Sequence, residues 1–185
     1  MRKILSIFIA LLLCLNMQAE EHLKFMGIPL DGTINQFHAK LTAKGMVSDV
    51  TLNKKLDVGC RAFKGSFSGE KAQIYVYYDE YSKIVYRAKA VITSTEESIS
   101  EYNYNHFINM LSDKYSYAES DKGRQNGYET TSFLVPNLNE AATYKYMGVI
   151  AVYRDSYFSF SYSVHVDYSD TINKVKHENR NMDDL

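Results

Sequence analysis

The chain has no tryptophan, two prolines and two cysteines among 185 residues. Cys14 falls in an N-terminal apolar run. Once that run is removed only Cys60 is left, so no intramolecular disulfide can form. A small exported domain without a disulfide must stand on its core alone. No histidine lies near Cys60 in sequence to activate it, so it reads as a small buried hydrophobe rather than a nucleophile. Charge of one sign is lacking too. The formal charge is −1, and losing Arg2 and Lys3 with the leader takes it to −3. That balance excludes partners recognised by bulk charge, namely nucleic acid and anionic membrane surfaces. There is no GxSxG elbow, HExxH helix, paired CxxC, Walker loop or dinucleotide glycine fingerprint. The glycines of "GCRAFKGSFSGEK" do not have the spacing of a phosphate cradle. The expectation is a protein that is not an enzyme, with no cofactor and no metal.

Long apolar runs are confined to one. Arg2 and Lys3 precede the apolar stretch Ile4 to Leu15, and Met17-Gln18-Ala19 supplies a small residue for cleavage. The run is short for a bilayer span and has the layout of a secretory signal. The rival is a lipid anchor at Cys14, although Leu13 stands where lipoprotein processing wants a small residue. The domain plan is a signal peptide over 1–19, one domain over 20–168 and a polar tail over 169–185, which holds one helical turn near Ile172 and Val175 and then frays.

What the chain has in quantity is tyrosine, 16 residues, beside nine phenylalanines. Tyrosine suits strands with one packed face and one face open to contacts. The segment "FMGIPLDGTINQ" is a helix-start apparatus. Pro29 favours an extended entry, Asp31-Gly32 a turn, and Thr33 with Gln36 a capping box. Ile34, Phe37 and Leu41 recur at helical spacing, and Gly45 with Met46 completes a Schellman ending. Three strands follow, over 61–67, 72–78 and 84–93, with a weaker one at 46–52. The order then recurs. Ser98 and Glu101 form a second capping box, Tyr104, Phe107, Leu111 and Tyr115 a helical stripe over 100–114, and strands follow at 128–135, 144–153 and 157–168. In the last, Phe158, Phe160, Tyr162, Val164, Val166 and Tyr168 share one face, and Ser159, Ser161, Ser163, His165 and Asp167 the other. The fold class is α+β: two helix–three-strand repeats, 33–93 and 98–168, forming one curved antiparallel sheet with the helices on one face.

Candidate chemistry is sparse. His38 and His106 lie on the helices without a ligand four residues on, while His165 and Asp167 share a strand face. The paired acids Glu20-Glu21, Glu96-Glu97 and Asp183-Asp184 sit at termini or between the halves and read as solubilising. What remains is the sheet face away from the core. It carries Gln73, Tyr75, Tyr77, Arg87, Lys89, Tyr153 and His165. Aromatic rings mixed with arginine are the composition of contact surfaces.

The stretch "HLKFMGIPLDGTINQFHAKLTAKGM" resembles the mature start of small exported Bacteroidetes proteins of uncharacterised function, in which G-I-P-[LI]-D-G leads into a helix ending in K-G. "MLSDKYS" resembles that group's second-helix ending, with Ser116 where glycine is common, and the "DDL" ending is similar too. The element order is similar to that of the tandem beta-lactamase inhibitory protein, and single units to small outer-membrane assembly lipoproteins. The resemblance carries no catalytic residues, and the inhibitor's disulfides cannot form here.

The function expected is an exported, non-enzymatic binding module of the cell envelope, periplasmic or secreted. Its ligand is a protein or peptide on the open sheet face, through Tyr75, Tyr77, Arg87, Lys89, Tyr153 and His165. Nucleic acid is excluded as a partner, and a membrane enters only through lipidation of Cys14. The alternative is a small envelope enzyme or glycan-binding protein with its site between the repeats. The address is tested by N-terminal sequencing of the exported protein, which should begin at Glu20. A lipidated Cys14 at the first position would overturn it.

Overall fold

The computed structural model describes residues 21–125, 127–139, 142–156 and 161–183. The expected leader and lipidation site lie outside them, as do Phe158 and Phe160. The order is β1 (Lys24–Phe25), β2 (Ile28–Pro29), α1 (Ile34–Ala43), β3 (Val47–Ser48), α2 (Val50–Asn53), β4 (Cys60–Phe67), β5 (Glu70–Tyr78), β6 (Val85–Ser94), α3 (Glu97–Lys114), β7 (Glu119–Gln125), β8 (Tyr128–Pro136), β9 (Tyr146–Ser156), β10 (Tyr162–Asp170) and α4 (Thr171–Asp183). β1 and β2 form a separate two-stranded pair. The other eight strands make one antiparallel sheet in the order β3-β4-β5-β6-β10-β9-β8-β7. The class is α+β, as expected. Among the described residues no helix is long and apolar enough to cross a membrane.

The start of α1 forms as its residues dictate. The backbone N–H of Gln36 donates to Thr33 Oγ1, and the Gln36 side chain accepts from the Thr33 N–H at 2.9 Å. At the far end Met46 N–H donates to Leu41 O and Gly45 N–H to Thr42 O, the two bonds of a Schellman motif, with Gly45 at φ +85°. Ile34, Phe37 and Leu41 are buried. The start of α3 differs from expectation. The helix begins at Glu97 with Glu96 as an N-cap that makes no side-chain bond, so the Ser98–Glu101 box is absent. Arg154 of β9 instead ties the first turn to the sheet, reaching Glu97 O, the Glu97 carboxylate and Ser100 Oγ.

α1 and α3 cover one face of the sheet. Phe37, Leu41, Tyr104, Phe107 and Leu111 join Ile74, Val76, Ala88, Ala90, Ile150, Val152, Val164 and Val166 in one core. Tyr104 also bonds Thr131 Oγ1 of β8 at 3.0 Å. Four further expectations are corrected. The weak strand at 46–52 is two residues of β3 followed by the short α2. Between α3 and β8 lies β7, "ESDKGRQ", a polar edge strand with no apolar alternation to reveal it. At β5–β6 the pairing shifts between Tyr77 and Tyr78, so the strict alternation expected along 84–93 is broken: Val85, odd-numbered like the open-face Arg87 and Lys89, is fully buried, and Tyr86 does not join Ala88 and Ala90 in the core. As far as residue 183, the polar tail is the end of β10 and the 13-residue helix α4. That helix packs not beside α1 and α3 but against the opposite face, where Lys174, Val175 and Glu178 stand over Arg87, Ala151 and Asp167.

Two positions test this geometry by equilibrium unfolding. Thr33→Ala removes the cap bond and should cost about 1 kcal/mol. Gly148→Ala should cost on the order of 1–3 kcal/mol, because its Cβ would stand 2.5 Å from the Ser169 carbonyl oxygen on the neighbouring strand. Neutral results at both would contradict the α1 boundary and the β9–β10 register.

Candidate functional site

Antiparallel register aligns the side chains of the second face in rows. One row runs Tyr77, Arg87, Ser169; the next Tyr75, Lys89, Asp167, Ala151; the third Gln73, Val91, His165, Tyr153, Thr130. Tyr75, Tyr77, Arg87, Lys89, Tyr153 and His165 therefore share one face of four adjacent strands, β5-β6-β10-β9. The Arg87 guanidinium lies 4.8 Å from the Tyr77 ring centre and Lys89 Nζ 5.5 Å from that of Tyr75. The rings of Tyr153 and His165 stack at 4.5 Å and 10°. Gln73 turns to the backbone, donating to Phe63 O at 2.7 Å.

The face has a charged floor. Arg87 grips Asp167 through two bonds, Nε to Oδ1 at 2.8 Å and Nη2 to Oδ2. That pairing raises the Arg87 pKa, outweighing burial. Burial lowers the Lys89 pKa, with Arg87 adding to the effect. His165 is 4% exposed rather than open to solvent, because β10 is a central strand and the Tyr153 ring covers it. Burial first, then the Lys89 ammonium, brings its imidazole down to about 4, against partial opposition from Asp155 and Asp167. Its Nε2 stands 2.8 Å from Ser163 Oγ, while the buried Nδ1 has no partner among the described residues. Burial pushes the Tyr77 hydroxyl up to about 12 and the Cys60 thiol up to about 11, so Cys60 is not poised as a nucleophile.

One end of the face is framed by α4. Tyr86 stacks on His177 at 4.4 Å and 14°, and His177 Nδ1 lies 3.0 Å from Asp79 Oδ2. Arg180 bonds the other oxygen of Asp79, which also accepts from Ser82 N–H and Oγ at 2.7 and 2.8 Å. Burial favours the neutral acid, but the bonds from His177 and Ser82, with Arg180 beside them, prevail and hold the carboxyl down at about 2. Two shallow cavities flank Tyr86. One of about 610 Å³ is lined by Cys60, Tyr75, Tyr77, Tyr81 and Tyr86, and the other, about 690 Å³, by Arg87, Ala151, Asp167, Lys174 and Glu178. No group of three His, Cys, Asp or Glu among the described residues can hold a metal ion.

Sequence reading overlooked Asp79, Tyr86, His177, Arg180 and the pairing of Asp167 with Arg87. The one available signal was the spacing of His177 and Arg180, which puts two cation-capable groups on one side of a helix. The partners themselves lie about a hundred residues away.

His165 gives the face a signature in acid. Its pKa is 6.5 when unperturbed and about 4 when folded, so between those values the unfolded chain binds a proton that the folded chain refuses. Stability should fall as pH drops from about 6.5 to 4. The loss due to Asp79 should begin only as pH falls from 3.8 towards 2. Denaturant unfolding of His165→Gln should show a flatter slope than the parent across the first window; equal slopes would mean that the imidazole is freely protonated.

No protein-family model matches the chain, and searches of curated proteins and of solved structures return no match.

Proposed function

We propose that this protein is an exported, non-enzymatic binding module of the cell envelope, periplasmic or secreted, which holds a protein or peptide segment against the face of β5, β6, β10 and β9. The observation that carries the reading is the alternation on that face of aromatic rings and cations, Tyr77 with Arg87 and Tyr75 with Lys89, beside the stacked Tyr153 and His165. Rings braced in this way have little side-chain freedom left to lose on binding. The two flanking cavities are shallow and open towards solvent, which suits an extended chain better than an enclosed small substrate. We read the two halves as repeats. Each runs helix first and then antiparallel strands, and they meet at their last strands, β6 and β10, in one antiparallel sheet. The ligand would then cross the seam between the halves.

Crosslinking capture from the native envelope tests this, with thermal unfolding measured on the same variants. Tyr75→Ala and Tyr153→Ala should weaken capture by about 2 kcal/mol or more while leaving the fold standing. Ile150→Ala, on the core face, should cost about 2–5 kcal/mol of stability instead. If the tyrosine variants lose stability without a selective loss of partner, those residues are only packing and the binding face is refuted.

A further inference from the structure

On the other side of the sheet, beneath the C-terminal half of α3, the core does not close. A half-open cleft of about 270 Å³ lies between α3, the β4–β5 turn and β10. Its walls include Phe67, Phe107, Leu111, Val166 and Tyr168, all buried. Phe67 and Phe107 are fixed in a chain of ring contacts, 5.4 Å from Phe25 to Phe67 and 5.7 Å from Phe67 to Phe107, so the walls cannot readily collapse inward. A half-open cleft with a buried apolar floor lets an apolar guest leave water against walls that are already in place. At about 30 Å³ per group, the share of one water in the liquid, the space holds roughly nine methylene-sized groups.

The more exposed lining residues indicate what enters. Met26 and Met110 are unbranched and adaptable, and Met110 is 42% exposed. Among the described residues, Lys114 is the one charged residue lining the cleft. Its ammonium lies 5.0 Å from the Tyr115 ring centre and has no ion-pair partner among the described residues. No acid among the described residues lines the space, so the Lys114 ammonium favours an anionic head group there over a cationic one. The C-terminal carbonyls of α3 attract the same ammonium and oppose a carboxylate, so the buried chain supplies most of the affinity and Lys114 the preference for an anion over a cation.

We propose that this cleft binds a linear aliphatic carboxylate of about eight carbons, its chain among Phe67, Phe107, Leu111 and Val166 and its carboxylate at Lys114 Nζ. The site lies across the sheet from Tyr75 and Tyr153, so it stands or falls independently of the peptide-binding reading.

Calorimetric titration of the exported protein with octanoate, 1-octanol and octylammonium tests it. Octanoate should saturate a single site, octanol should bind several-fold more weakly, and octylammonium at least ten-fold more weakly. Lys114→Met should bring octanoate down to the level of octanol. Met110→Trp should fill the opening and weaken both about ten-fold, with circular dichroism confirming the fold. The proposal is overturned if octanoate gives no saturable heat below its micellar range. It is equally overturned if octylammonium binds as well as octanoate, or if octanoate binding ignores both substitutions.

Discussion

The pairing of β6 with β10 holds the rest of the structure together. The last strand of the chain inserts between β6 and β9, and its eight-residue register with β6 joins two separately connected sets of strands into one sheet. That register puts Asp167 opposite Lys89 and diagonal to Arg87, and His165 opposite Val91. A slip of one residue would turn Val164, Val166 and Tyr168 out of the core and push Ser163, His165 and Asp167 into it. The core and the candidate site are thus two sides of one alignment.

A strand so placed is buried on both faces, and the two sides solve the problem differently. Towards α1 and α3 it presents apolar groups, for which burial is favourable. On the other side it carries Ser163, His165 and Asp167, for which burial costs free energy unless each finds a partner. Asp167 finds Arg87, and His165 finds Ser163 and the Tyr153 ring but leaves one nitrogen unsatisfied. The polar layer is therefore held less firmly than the apolar one. Its integrity depends on the protonation of His165.

The helix after β10 is secured by few but strong contacts. Asp170 closes the junction, accepting from Leu23 N–H and Asn173 N–H at 3.0 Å each and lying 3.1 Å from His22 Nδ1. The pairing with Asp170 raises the His22 pKa, so this contact strengthens as the imidazole gains its proton. Further along, Asp79 receives His177 and Arg180. These are charge-assisted bonds to largely buried carboxylates, which are worth more than exposed ion pairs. They position α4 so that Tyr86 becomes a wall between two cavities instead of a core residue.

The sequence by itself determined the local elements. Thr33, Gln36, Gly45 and Met46 specify the ends of α1 through bonds that span at most five residues, and the alternation of Ile74, Val76, Ala88, Ala90, Val164 and Val166 specifies which face is apolar. The six residues expected on the second face were legible for the same reason, since a strand's period of two is local. Tertiary structure alone decided which strands become neighbours, and with that the burial of His165, the Arg87–Asp167 pair and the shift that buries Val85. It also decided that "ESDKGRQ" becomes a strand and that the polar end becomes a helix. In β7 the backbone ladder to β8 supplies what side-chain burial does not, and α4 is held by Asp79, a residue about a hundred positions earlier. Periodicity and capping act over a few residues and can be read along the chain. Pairing, burial and charge partnership act between residues that only the folded chain brings together.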